Sequence, residues 1–164
     1  MITKVVNKNE VVMKKWLEKI SKVKTFYGYG YQPYLTVYRL LKFKLFRNIS
    51  VCLHYFHRPD EDPDCHDHPF HFFTLVLRGG YREEVEINGK RKINHLGFLS
   101  FGFRKASYLH RIISIKKPCW SLCIKISPKT VKLWGFVKDG KWVYWKDYIK
   151  AKGLEPIQNS EEAF

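Results

Sequence analysis

The period of the apolar positions changes once along this chain. Between Asn9 and Lys24, Val12, Met13, Trp16, Leu17, Ile20 and Val23 recur at helical spacing, and Lys15, Lys19 and Lys22 fall on the other side. That pattern predicts an amphipathic helix with a basic outer face. The stretch "YGYGYQP" then breaks the period with glycines and a proline, without a complete phosphate-loop motif. From Tyr34 onward the period is two. It predicts strands in Tyr34–Tyr38, "KFKLF", "ISVCLHYFHR", Phe72–Leu77, Tyr81–Ile87, Arg91–His95, Phe98–Phe101, Tyr108–Ile115, Trp120–Ile126, Leu133–Val137 and Trp142–Trp145. Turns are expected at Gly79-Gly80, Asn88-Gly89, Lys117-Pro118 and Asp139-Gly140, the second and last as tight hairpins. "WKDYIKAKG" reads as a short closing helix ending at Gly153.

Many short strands at close spacing predict an all-β chain: one antiparallel β-barrel or jelly roll with an N-terminal amphipathic helix and a short C-terminal helix. The expected division is a basic helix and linker over 1–30, the barrel over 31–150 and a tail over 151–164.

With 164 residues, 45% hydrophobic and 16% aromatic, the chain can bury a core of its own and is not compositionally disordered. No apolar run is long enough for a bilayer, so no membrane partner is expected. The start "MITKVVNKNE" lacks the apolar stretch of a secretory signal. Cys52, Cys65, Cys119 and Cys123 form no C-x-x-C pair. Buried reduced thiols in a cytoplasmic setting are the expectation.

Charge adds a second feature. The net charge is +15, and residues 1–50 carry eleven basic residues against two acidic ones, a net +9. Such a region attracts polyanions, and weak non-specific nucleic-acid binding is one expectation. A lysine-rich soluble surface explains it as well, and no RNP, zinc-finger or helix-turn-helix signature tips the balance. The acids gather in "PDEDPDCHD", where Asp60, Glu61, Asp62 and Asp64 read as a solvated, proline-bracketed loop and Asp67 as a turn residue.

The candidate chemistry lies in "CHDHPFHFFTLVLRGGY". His66 and His68 are two apart, so on an extended segment they share a face, and imidazole binds Zn, Fe, Ni and Cu. The alternative is a polar pair that stacks without metal. A third ligand is expected from another strand. His110, in "SYLHRIISI", is the first choice, with His54, His57, His71 and His95 as competitors. Tyr108 shares a face with His110 and could contact a substrate or simply fill the core, and Arg104 is either an anion clamp or a surface residue.

His66-x-His68, a glycine at Gly79 or Gly80, and a later His110 resemble the cupin superfamily. The resemblance spans roughly residues 34–145. It departs from the usual motif where a glutamate belongs, for that position falls on Phe72 or Phe73, and the second motif's Pro-x-Gly is absent. Without that carboxylate the chain is similar to three-histidine cupins such as the thiol dioxygenases, and also to small cupins of phage and bacterial origin. The resemblance implies a metal-dependent enzyme, of non-haem Fe(II) dioxygenase type, acting on a small anionic molecule. Zn, Ni or Mn are alternatives to iron, and a homodimer is one open oligomeric state. A non-catalytic cupin binding a small molecule or nucleotide, and a basic nucleic-acid-associated accessory protein, are the alternative functions.

Overall fold

The computed structural model describes residues 8–43, 48–128 and 132–154. Parts of two expected features, the strand "KFKLF" and the tail 151–164, lie outside the described residues. Helix α1 spans Lys8–Ile20, and among the described residues nine strands follow: β1 Lys22–Tyr27, β2 Pro33–Phe43, β3 Ile49–Phe56, β4 His71–Ile87, β5 Lys90–Leu96, β6 Phe101–Arg104, β7 Leu109–Ile126, β8 Gly135–Lys138 and β9 Lys141–Tyr144. Helix α2, Trp145–Ala151, closes the order. All pairings are antiparallel. The main sheet runs β1-β2-β3-β7-β4-β5, with β6 on β4, and β8 pairs β9. This is the expected all-β jelly roll with a helix at each end.

Two segments differ from expectation at Gly79-Gly80 and Lys117-Pro118. Neither ends a strand. β4 and β7 each run through, paired from His71↔Ile126 to Glu86↔Leu109, with register shifts around Arg78. Such register shifts are bulges, at which paired strands bend together. Gly79 has φ +75°, and a Cβ on it would stand 2.2 Å from the Lys116 carbonyl oxygen and 2.3 Å from that of Pro118. Only a glycine lets the two bending backbones approach this closely. Phe56, Val76, Tyr81, Leu96, Ile112 and Cys119, from both sides of the bend, form one buried cluster.

The expected linker is partly sheet. Lys22–Tyr27 is a strand that pairs with β2 from Lys22↔Arg39 onward, so the barrel begins before residue 31. The helix also differs. Of its apolar residues only Leu17 is buried, against Tyr38 and Trp120. Val12 and Trp16 are 66% and 58% exposed. The row that meets the sheet is Glu10, Lys14, Leu17 and Ser21, with the Lys14 ammonium 3.5 Å from the centre of the Tyr55 ring. A cation over an aromatic face thus takes a place that periodicity alone assigns to an apolar side chain. No helix among the described residues is long and apolar enough to cross a membrane.

Candidate metal centre

Residues 65–68 are a short extended segment stitched between two strands. His66 and His110 exchange both backbone hydrogen bonds, at 2.9 and 3.0 Å. On the other side the Asp67 N–H donates to the Gly135 carbonyl at 3.0 Å, and Val137 N–H donates to that of Cys65 at 2.8 Å. Because His66 and His110 are a directly hydrogen-bonded antiparallel pair, their side chains stand side by side. His68, two residues on, joins them.

The three rings form a nearly equilateral group, with centroids 5.1, 5.3 and 5.2 Å apart. One nitrogen from each lies within 4.8 Å of the others. His68 Nε2 and His110 Nε2 are 3.0 Å apart. Two nitrogens each about 2.1 Å from one ion, and about 90° apart around it, would stand about 3.0 Å from each other. The donor set therefore fits a divalent ion. Burial, reinforced by the neighbouring imidazoles, lowers the pKa of His68 well below the usual histidine value, and burial lowers that of His66 too. Both rings keep their lone pairs free at neutral pH, as ligands must.

Behind His110 lies a buried carboxylate. Glu83, 1% exposed on β4, has Oε2 3.2 Å from His110 Nδ1. Its Oε1 accepts from Arg104 Nη2 at 2.9 Å, from the Tyr108 hydroxyl at 3.1 Å and from Asn94 at 3.4 Å. Burial alone would raise the pKa of Glu83, but the His110 hydrogen bond and the Arg104 charge outweigh it and hold the group down at about 2. An ionised Glu83 takes the Nδ1 proton of His110 as a hydrogen bond and leaves Nε2 to face His68. That is the outer-shell arrangement of metal-bound histidines. The only sequence signal was parity: Glu83 shares its strand face with Tyr81 and Val85, and Val85 lies opposite His110.

This geometry recasts Arg104 and Tyr108. Arg104 is not a surface residue: it is 6% exposed, and its guanidinium pairs with Glu83. Tyr108 lies 5.4 Å from His110, ring to ring. Burial and the nearby Glu83 push its hydroxyl up to about 12, so it stays protonated and donates to Glu83.

Phe72, not Phe73, is the inward residue. Its ring is 5.0 Å from His68 and 5.9 Å from His110, whereas Phe73 meets Phe101 on the outer face. Among the described residues no carboxylate belongs to the histidine group. The four competing histidines stay outside it as well. His57 bonds Thr36 at 2.8 Å, His71 accepts from the Ala106 N–H at 3.0 Å, His95 is exposed, and His54 lies further along the interior of β3. The four thiols are buried and free, and burial pushes Cys65 up to about 11 and Cys123 to about 12.

The acidic loop is not a solvated one. Asp60 accepts from the Ile112 N–H at 2.6 Å, Asp64 from the Tyr148 hydroxyl at 2.7 Å, and Asp62 pairs with Lys152. Asp67 is 5% exposed and accepts from Gly135 N–H at 2.8 Å, Lys132 at 2.5 Å and Trp142 Nε1 at 3.3 Å. These acids fasten the His66–His68 segment to β7, β8 and α2.

No family model and no curated protein matches the sequence. Among solved structures, a deletion mutant of Bacillus subtilis oxalate decarboxylase OxdC aligns with a TM-score of 0.52 at 10% identity, over 70% of this chain and 29% of that one. Fe(II)-HppE with an alternative substrate aligns at 0.46 and 14% identity, over 65% of this chain and 56% of that one. A protein described as a putative mannose-6-phosphate isomerase from Ralstonia eutropha JMP134 aligns at 0.49 and 15%, over 62% and 92%. The chain thus spans just over half of HppE and under a third of OxdC. At such identities likeness speaks for fold alone, and with the strand order above it establishes that this chain has the cupin jelly-roll fold.

Proposed function

We propose that this protein is a metal-dependent cupin enzyme that holds one divalent ion at His66, His68 and His110 and acts on a small anionic substrate. The observation that carries this reading is the convergence of three imidazole nitrogens within 4.8 Å, two of them 3.0 Å apart. Three imidazoles without a thiolate suit Fe(II), Zn, Ni or Cu, and the likeness to three-histidine cupins favours Fe(II) and a dioxygenase-like reaction. Once bound, such an ion supplies a Lewis-acid site for an anion and, if iron, one-electron chemistry with dioxygen.

The chain's own residues have separable tasks. His66, His68 and His110 are the ligands. Glu83 fixes the His110 tautomer, and Arg104 and Tyr108 hold Glu83, so these three are positioning residues. Phe70 and Phe72 flank His68 at 5.4 and 5.0 Å and keep water from that side. Three neutral ligands leave the ion's charge uncompensated, which favours an anionic substrate over a neutral one.

Elemental analysis of protein purified without a histidine tag tests the ion. About one divalent ion per chain is expected, and the double variant His66→Ala/His68→Ala should lose it while keeping a cooperative melt. A stoichiometric ion in that variant would place the site elsewhere. Oxygen uptake by the Fe(II)-loaded protein with a panel of small thiols and carboxylic acids tests the enzyme. An ion with no turnover on any of them would favour a non-catalytic, ligand-binding cupin.

A further inference from the structure

The outer face of the main sheet is apolar across its width. Two rows cross the five strands β2, β3, β7, β4 and β6 without a charge. Leu41, Val51, Ile124, Phe73 and Phe103 are register partners in one row, and Tyr38, Leu53, Leu122, Leu75 and Phe101 in the next. Ser50, Thr74, Ser121 and Lys125 alternate with these residues and are buried on the inner side. An antiparallel sheet with one solvated face carries its polar residues on that face. Here the outer rows are apolar and polar side chains are turned inward, which is the pattern of a sheet covered on both sides.

Among the described residues, α1 covers one end of this face, where Leu17 packs on Tyr38 and Trp120. Away from the helix, Phe101, Phe103 and Leu41 are 73%, 58% and 53% exposed. A third row begins with Phe43, Ile49 and Ile126. With strands about 4.8 Å apart and same-face residues about 7 Å apart along them, the uncovered area is about 24 by 20 Å, or roughly 500 Å². Two such faces in contact bury about 1,000 Å², the size at which specific interfaces begin, and side-chain relief adds to it.

Charge and shape select the occupant. The chain carries a net charge of +15, so its copies repel one another over most of their surface. This uncharged face is where two copies can meet at least cost. Helix α1, about 10 Å thick, stands on the sheet at the height where a second sheet would pack, also about 10 Å. A flat bilayer resting on the helix cannot reach the rows beside it. A second copy turned about a two-fold axis does reach them, with its own α1 past the opposite end.

We propose that this chain forms a homodimer through the outer faces of its two main sheets, with the Phe101–Phe103 edge and the Leu41 edge of each copy inside the contact. The histidines face the barrel interior, so the contact stands whether or not they hold an ion.

Sedimentation equilibrium of the full chain at about 10 µM should give twice the mass of one chain. Raising sodium chloride from about 50 to about 500 mM should keep or tighten the dimer, because screening removes repulsion between the copies and the contact itself is uncharged. Phe101→Glu/Phe103→Glu and, on the opposite edge, Leu41→Lys should each raise the dissociation constant at least about tenfold, with circular dichroism and ion content as in the wild type. The three side chains are exposed, and the two edges are independent, so either variant tests the face if the other fails to fold. Ile87→Glu/Ile93→Glu alters exposed apolar residues on the β4–β5 hairpin, off the face, and should stay dimeric. A wild type that is monomeric at about 100 µM overturns the proposal, whether the face then binds neutral vesicles, another protein or nothing. A dimer that dissociates as salt rises, that survives both face variants, or that the hairpin variant breaks equally overturns it as well.

Discussion

At the scale of single residues the site is defined by one substitution of kind, an aromatic ring where the cupin motif carries a carboxylate. Phe72 is inward, 7% exposed, and faces both His68 and His110. Phe72→Glu should place a carboxylate beside the histidines and opposite Lys125. We expect ion affinity to rise tenfold or more in chelator competition, since a charged ligand joins three neutral ones. Mercaptoacetate affinity should fall, because the charge of the ion would then be partly neutralised. Unchanged ion affinity would mean that residue 72 does not reach the ion. The side chains that do this work were unequally visible in the sequence. His66 and His68 were legible because an i, i+2 pair on an extended segment shares a face, and His110 because it sits on a strongly alternating run. Glu83 and Asp67 were not, because their partners are far away in sequence, at His110, Arg104, Gly135 and Trp142, and an acid reads as solvated until those partners are known.

At the scale of elements, β4 and β7 run on together through the Gly79-Gly80 pair. Asn88-Gly89 and Asp139-Gly140 are the tight hairpins that the sequence predicts, with positive φ at all four residues. Those turns are local, so two residues specify them. Gly79-Gly80 carries a similar local signal but has a different outcome, because the strand on its flank continues past it and holds both halves in register. Whether a glycine pair reverses a strand or bends it depends on the partner strand, which no local pattern contains. Gly79→Ala tests this. Strain at φ +75° adds to contact with two carbonyl oxygens, so a loss of about 2–4 kcal/mol is expected in denaturant unfolding. Ion affinity should change little, because two backbone hydrogen bonds between His66 and His110 set the distance between them. A Gly89→Ala control meets no neighbouring atoms within 4 Å and should cost less, through its φ alone. Equal losses in the two variants would show that the close approach at Gly79 contributes nothing.

At the scale of the whole molecule the charge is divided by depth and by end. Several acids are spent inside or on neighbouring strands: Glu83 on Arg104, Asp67 on Lys132, Glu84 on Arg111 and Arg91. The excess of lysine is left on the surface. On α1 and the start of β1, Lys15, Lys19 and Lys22 are exposed and form no ion pair among the described residues, while Lys14 is held by Glu10 and Tyr55. Three such lysines can each meet a phosphate without any base being read. If they do so on duplex DNA, three contacts give a log–log salt slope of about −2.7, and raising sodium chloride from about 50 to about 200 mM should weaken binding about 40-fold. The triple variant Lys15→Gln/Lys19→Gln/Lys22→Gln should remove most of that slope and leave the ion content and melt unchanged, since none of the three lies near the histidines. Fluorescence anisotropy with unrelated duplexes should show the same affinity for each. Binding that ignores salt, that discriminates between sequences, or that survives the triple variant would show that this basic end is not a polyanion surface, and would leave its charge with no role beyond solubility.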